Sequence, residues 1–156
     1  MADELRELLD FAHTIAWQAG KITLRYFQSE LAVDLKADAS PVTVADREAE
    51  AFLRAAIAAR YPGHAVLGEE EGLSGDDGAT YRWIIDPIDG TRSFVRGMPL
   101  YGVMVGLLRE GEPVLGVVNM PALGEIVAAA RGHGCRWNGR PCHVSSVAAL
   151  RDGLVV

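Results

Sequence analysis

Cysteine is scarce, with only Cys135 and Cys142 in 156 residues. Two are too few for the disulfide framework of a small secreted domain, and their spacing fits no zinc pattern. They flank Asn138-Gly139, a strong signal for a two-residue hairpin, so they are expected to face each other across two strands as a reduced, structural pair. Basic charge is also short. Fifteen Lys and Arg against 21 Asp and Glu leave a net charge of -6, which excludes the basic face needed to grip nucleic acid irrespective of sequence and points to a small partner. No apolar run approaches the ~18 residues of a membrane span. The opening MADELRELLD is acidic and amphipathic where a signal peptide is basic and then apolar, so a cytoplasmic location is expected. There is no GxGxxG after a strand, no P-loop, no GxSxG and no internal repeat.

Hydrophobic residues make up 49% of the chain, enough to bury the core of one ordinary domain. The first helix is predicted from about Asp3 to Phe27, where Leu5, Leu8, Leu9, Ala12, Ile15, Ala16, Ala19 and Ile22 recur at three- and four-residue steps. His13 lies one step off that stripe and reads as an edge residue, with Trp17 and Tyr26 as packing and rim residues. An extended segment follows, in which Ser40-Pro41 disfavours helix. Thr43 with Asp46 resembles a capping box that uses Asp in place of Glu and opens a second helix to about Arg60, buried along Ala49, Phe52, Leu53, Ala56 and Ile57. Lys36 reads as a solvated charge.

From His64 onward the pattern is of short strands: HAVLG, the WIID of residues 83–86, Tyr101 to Leu108, Val114 to Asn119, Glu125 to Ala130 and an Asn-Gly hairpin from Gly134 to Val144. Gly102, Gly106 and Gly116 lie inside strands and suggest close backbone approach or bulges. The expected class is α+β: a layered α/β sandwich with two N-terminal helices packed on a mainly antiparallel sheet.

The chemistry concentrates in residues 83–94, WIIDPIDGTRSF. A buried strand runs into a Pro turn and places Asp86 and Asp89 beside Gly90-Thr91 at the start of a short helix. Two carboxylates ~4 Å apart repel by about 4 kcal/mol at an effective dielectric near 20, a strain that a shared divalent cation relieves. Carboxylates and carbonyls suit Mg²⁺, with Mn²⁺ an alternative, rather than zinc. Backbone N–H groups at a helix N-terminus hold a phosphate oxyanion. Glu69, first of the acidic triplet Glu69-Glu70-Glu71, follows an apolar strand and is placed to reach the same spot, although such a triplet alone reads as a solvated turn. Asp46 has two readings at this level, a first-turn residue favoured by the helix dipole or a member of the site. Arg92 and Arg96 could meet a phosphate but read more simply as solvated.

GEEEG, WIIDPIDGTRSF and PLYGVMVGLL, with the upstream SPVTVAD and the downstream GCRWNG, resemble the magnesium-dependent, lithium-sensitive phosphatases of the inositol monophosphatase superfamily. KADASPVTVADREAE, DGTRSFVRGMPLYG and WNGRPCHVS are most similar to its histidinol-phosphatase branch. The resemblance implies that Glu69, Asp86, the Ile88 carbonyl and Asp89 are metal ligands, Asp86 bridging two ions. It implies that Glu69 and Thr91 orient the attacking water, that Ile88, Asp89, Gly90 and Thr91 hold substrate, and that Asp46 lies near a third, weaker metal. Two or three Mg²⁺ ions are then expected, with a small phosphorylated alcohol as substrate, L-histidinol phosphate first and inositol phosphate or a sugar phosphate as alternatives. The reaction that the resemblance implies is in-line attack of a metal-activated water on phosphorus.

The match covers only the first half of that fold. Relatives continue into a second domain whose WDxA-type segment completes the second metal site, and no such segment occurs here. Residues 1–156 are therefore expected to be a single N-terminal metal- and phosphate-binding domain. Its apolar ending, Leu154-Val155-Val156, suggests a fragment or an edge covered in a homo-oligomer. A non-catalytic metal- and phosphate-binding domain, and an acidic turn stabilised structurally by Mg²⁺, are the competing readings.

Overall fold

A computed structural model of the chain describes residues 2–37 and 39–153. Two helices lie on one face of an eight-stranded sheet. Helix α1 (Ala2–Leu24) and helix α2 (Val44–Arg60) each present one apolar stripe, as their three- and four-residue periodicity requires. Leu8, Ala12, Ile15, Ala16 and Ala19 of α1 meet Ala49, Leu53 and Ile57 of α2 in the main core. The alanines keep the contact close, and both helices sit on the inward-facing side chains of the central strands. The first helix ends at Leu24, three residues short of the predicted end at Phe27; residues 25–28 continue as turns.

A small hairpin, β1 (Val33–Leu35) and β2 (Pro41–Thr43), separates the helices. The predicted capping box at the start of α2 is present. Thr43 Oγ1 accepts from the Ala45 N–H at 3.1 Å, while Asp46 Oδ2 accepts from the Thr43 N–H at 2.8 Å.

The sheet is built from β3 (Ala65–Gly68), β4 (Gly72–Ser74), β5 (Tyr81–Asp89), β6 (Gly102–Arg109), β7 (Glu112–Met120), β8 (Glu125–Ala130), β9 (Gly134–Trp137) and β10 (Arg140–Cys142). A short helix, α3 (Thr91–Phe94), follows β5. The strand order is β10-β9-β8-β7-β6-β5-β3-β4. Every neighbouring pair is antiparallel except β3 and β5, which run parallel and bring the end of β3, Gly68, level with Ile85. Trp83, Ile85, Val103, Val105, Leu107, Leu115 and Val117 alternate into the core beneath the helices. Among the described residues, no helix is long and apolar enough to cross a membrane.

At the far edge the Asn-Gly hairpin forms as expected. Asn138 and Gly139 both adopt positive φ, 48° and 78°, and Cys135 pairs with Cys142 across the strands as free thiols 3.3 Å apart. The expectation for the strand glycines is met only in part: Gly102 pairs with Asp89 at the edge of a bulge, but the close approach is not found. A Cβ on Gly116 would meet nothing within 4 Å, and at Gly102 and Gly106 it would make only ordinary contacts. None of the three marks a forced close approach.

Candidate active site

The site forms where β3 and β5 end side by side. Strand β5 does not stop at the proline, as a Pro turn would require, but continues to Asp89 through a bulge. Asp86 pairs with Met104 and Asp89 with Gly102, so Pro87 and Ile88 together lie opposite the single Val103. Proline cannot donate to the ladder, which makes this a natural place for the irregularity. Its consequence is geometric. On a regular strand residues three apart point to opposite faces, but the extra residue cancels that offset and turns Asp86 and Asp89 to the same face.

The bulge is pinned from below. Ile88 and Phe94 are 1% exposed and pack with Ala45 and Tyr101 in a second apolar cluster, where the Phe94 and Tyr101 rings meet edge to face at 4.8 Å. Asp86 Oδ1 accepts from the Ile88 N–H at 3.0 Å, so the bulge orients its own carboxylate. Gly90 turns the chain at a φ of 89°, and a Cβ there would come 3.0 Å from the Leu100 carbonyl. Glycine is required at this corner on both counts.

Helix α3 has four residues. The Ser93 and Phe94 N–H groups both bond the Gly90 carbonyl, at 2.8 and 3.0 Å, so what this turn can offer a ligand is the N–H groups that precede Ser93, more than a macrodipole of useful length. Thr91 sits at the junction. Its hydroxyl lies 3.0 Å from the Ile88 carbonyl and 3.3 Å from Asp46 Oδ1, and donates between them. Asp46, fully buried in the first turn of α2, also accepts from the Thr43 hydroxyl at 2.6 Å. Burial pushes its carboxyl pKa up, against the hydrogen bonds from Thr43 and Thr91. The two sequence readings of Asp46 are thus compatible: it caps the helix and braces the turn after β5.

Glu69 follows β3 directly, and its carboxyl reaches Asp86. Burial, then the charge and hydrogen bonding of Glu69, then the charge of Asp89, push the Asp86 carboxyl up to about 7. Carboxyls so placed must share a proton or a cation. Part of that role is taken here by Lys36, which the sequence left as a solvated charge. The β1–β2 hairpin delivers its ammonium 2.8 Å from Glu69 Oε1 and 2.7 Å from Glu70 Oε1. Burial pulls the Lys36 pKa down, but the hydrogen bonds and charges of both glutamates outweigh it and hold the ammonium well above its usual range. The contact joins residues 33 apart across a hairpin, and no local pattern announces it.

The structure therefore gathers Glu69, Asp86, Asp89, Gly90, Thr91, Asp46 and the Ile88 carbonyl around one end of the sheet. Arg92 and Arg96 are exposed, as expected, with Arg96 Nη1 donating to the Arg92 carbonyl at 3.0 Å. Among the described residues, no three His, Cys, Asp or Glu side chains already converge as a metal cage; Glu69 is engaged by Lys36 instead. The donor chemistry nonetheless fits a hard divalent cation, since it is all carboxylate and carbonyl oxygen on one strand end and carries an excess of negative charge.

The chain is 52% identical over 151 residues to a histidinol-phosphatase of Chlorobaculum parvum, a match covering 95% of this chain and 57% of that protein. It is 40% identical over 151 residues to an inositol-1-monophosphatase of Rhizobium meliloti, covering 95% and 56%. It superposes on an IMPase of Thermotoga maritima with a TM-score of 0.85 at 34% identity, covering 92% of this chain and 56% of that one. The chain spans a little over half the length of the relatives it matches. The pattern that defines the inositol monophosphatase family matches residues 4–156, and with the fold in agreement, the chain belongs to that family.

Proposed function

We propose that residues 1–156 form the metal- and phosphate-binding domain of a Mg²⁺-dependent phosphomonoester hydrolase acting on a small phosphorylated alcohol, with L-histidinol phosphate as substrate. The observation that carries the reading is the bulge in β5. It sets Asp86 and Asp89 on one face beside Glu69, where burial first and the neighbouring carboxylates second push Asp86 up to about 7, and a divalent cation would relieve that concentration of negative charge. Glu69, Asp86, Asp89 and the Ile88 carbonyl would hold two or three Mg²⁺ ions, or Mn²⁺. Bound there, the metals would supply charge stabilisation at the phosphate and lower the pKa of water.

The chain's own groups do the rest. The N–H groups of Gly90 and Thr91 hold phosphate oxygens, and Asp46 and the Ile88 carbonyl fix the Thr91 hydroxyl so that it and Glu69 can orient a water in line with the leaving oxygen. Lys36 must release Glu69 when metal enters. The choice of L-histidinol phosphate follows the 52% identity to the Chlorobaculum protein; inositol phosphate is the alternative that the Rhizobium relative favours.

A second reading has its own support. The chain spans 57% of that relative's length, so the domain can bind metal and phosphate without turning substrate over alone. The test is phosphate release from L-histidinol phosphate and from inositol 1-phosphate by the 156-residue chain, with Mg²⁺ or EDTA, over a range of protein concentrations. Mg²⁺-dependent release, faster from histidinol phosphate, is the expected result. A rate per molecule that climbs with concentration would mean that association completes the site. A Mg²⁺-induced rise in Tm without release selects the second reading, and neither release nor a shift in Tm overturns both.

A further inference from the structure

Glu50 is the one carboxylate in the middle of α2 that is wholly buried, and nothing in the proposed chemistry uses it. A buried charge is costly unless it is paired and fully hydrogen-bonded. Glu50 is both. Its Oε1 takes the Arg54 guanidinium at 2.9 Å from Nε and 2.8 Å from Nη2. The remaining capacity is spent on backbone: Oε2 accepts from the Glu70 N–H at 2.9 Å and Oε1 from the Glu71 N–H at 3.0 Å. Arg54 extends the grip, with Nη2 on the Gly72 carbonyl at 2.5 Å and Nη1 on Ser74 Oγ at 2.8 Å.

The other side of Glu69 is held by the same pair. A Cβ on Gly68 would fall 2.3 Å from Glu50 Oε1 and 2.6 Å from Arg54 Nη2, so the ion pair lies directly against the Gly68 backbone and a side chain there would displace it. The side chains of Glu69 and Glu70 both turn to Lys36, while the backbone around them is held by a helix that supplies no ligand itself.

We propose that Glu50, held by Arg54, is a positioning residue for the metal site: it sets the Glu69 carboxylate by clamping the backbone on either side of it. This rests on the metal reading above, and the test separates the two. Direct Mn²⁺ binding, read from the loss of the free-ion electron paramagnetic resonance signal, is measured on the full chain for wild type, Glu69→Gln, Glu50→Gln, Arg54→Lys and Leu53→Ala, each at a temperature where circular dichroism shows it folded. Glu50→Gln keeps the size of the side chain but turns one acceptor into a donor facing an N–H group. Partners that orient ligands typically contribute about 10- to 100-fold in metal affinity, and a loss in that range is expected for Glu50→Gln. Arg54→Lys, which keeps the charge and loses the planar fork, should lose less. Leu53→Ala, one position from the clamp's helix face and fully buried, should lower Tm and leave the Mn²⁺ affinity within about twofold of wild type, because it removes packing and no partner of the turn.

Wild-type binding with Glu50→Gln and Arg54→Lys both indistinguishable from it overturns the inference and leaves the metal reading intact. Equal losses of affinity in Leu53→Ala and Glu50→Gln also overturn it, since the effect would then follow stability alone. A wild-type chain that takes up no Mn²⁺ overturns the metal reading itself, and this inference with it.

Discussion

Strand β5 is two strands in one. Its first half, Tyr81 to Ile85, keeps a regular register against β6 and β3, and Trp83 and Ile85 are 0% and 2% exposed in the core. Its second half, Asp86 to Asp89, is bulged, carries two carboxylates on one face and borders Glu69. The first half gains from everything it touches; the second gathers like charges that repel in the absence of a cation. One element thus divides holding the fold from holding the ligand, and the rigid half is what allows the strained half to stay in place. The comparison makes a sharp expectation: substitutions before Asp86 should cost stability, and one at Asp86 should return some.

The largest effect is expected at Trp83. Replacing it with Ala removes the largest fully buried side chain of the core and should cost about 3–5 kcal/mol, measured as the shift in urea midpoint. A loss below about 1 kcal/mol would mean that the first half of β5 is not the anchor that burial makes it. Asp86→Asn should act in the opposite direction. In metal-free protein the carboxyl is held at about 7, so the folded state binds a proton that the unfolded state releases above about 4. Its charge therefore lowers stability as pH rises through that window, and the penalty is complete above pH about 7. Discounted for solvent screening at a partly exposed group, Asn should raise the stability of the metal-free chain at neutral pH by about 1–2 kcal/mol. It should also abolish the Mg²⁺-dependent rise in Tm. A metal-free variant no more stable than wild type breaks the comparison.

Gly90→Ala tests the corner that joins the strained half to α3. The φ of 89° and the 3.0 Å approach to the Leu100 carbonyl both oppose a Cβ, for a cost of about 1–2 kcal/mol. Because the same residue presents an N–H to the phosphate, the affinity for inorganic phosphate in the presence of Mg²⁺, by calorimetry, should fall more than the affinity for Mg²⁺. Equal losses would mean that the corner serves the metal alone.

Much of this was legible in the residues. The helical stripes, the Thr43–Asp46 capping box and the Asn-Gly hairpin are local patterns whose partners lie within a few positions, and local chemistry decides them. The DPIDGT stretch announced its carboxylates, yet not the device that aligns them: a Pro turn and a bulge look alike until the partner strand shows Pro87 and Ile88 sharing Val103. Lys36 and Glu50 were invisible for a related reason. A lysine in an extended segment and a glutamate beside a helical stripe look solvated, and only the parallel pairing of β3 with β5, made across a long crossover, puts the acidic turn against both. What the sequence hides is the non-local pairing, and the site is made of it.

The smallest effect closes the comparison because its sign opposes that of Asp86. At the rigid end of β5 the Trp83 indole N–H donates to His64 Nδ1 at 3.1 Å, and the imidazole stacks between Tyr61 and Tyr81 at 4.8 and 4.7 Å. An acceptor at Nδ1 requires the neutral ring, and burial lowers the His64 pKa below 6.5, against the weaker pull of the Glu4 charge. The unfolded chain therefore takes up its proton first as pH falls. This contribution is complete above about 6.5 and is lost as pH drops below it. Asp86 and His64 thus bend the stability of the metal-free chain in opposite directions. His64→Gln should remove the loss on the acid side of 6.5 and leave the decline on approach to neutrality, while Asp86→Asn should do the reverse. Urea midpoints of the three proteins from pH 5 to 8 read both slopes at once. If the two variants keep the same pH profile as wild type, the division of β5 into a stabilising half and a charged half does not govern its titration. If only His64→Gln changes the profile, the Asp86 carboxyl is not the group that titrates on the approach to neutrality.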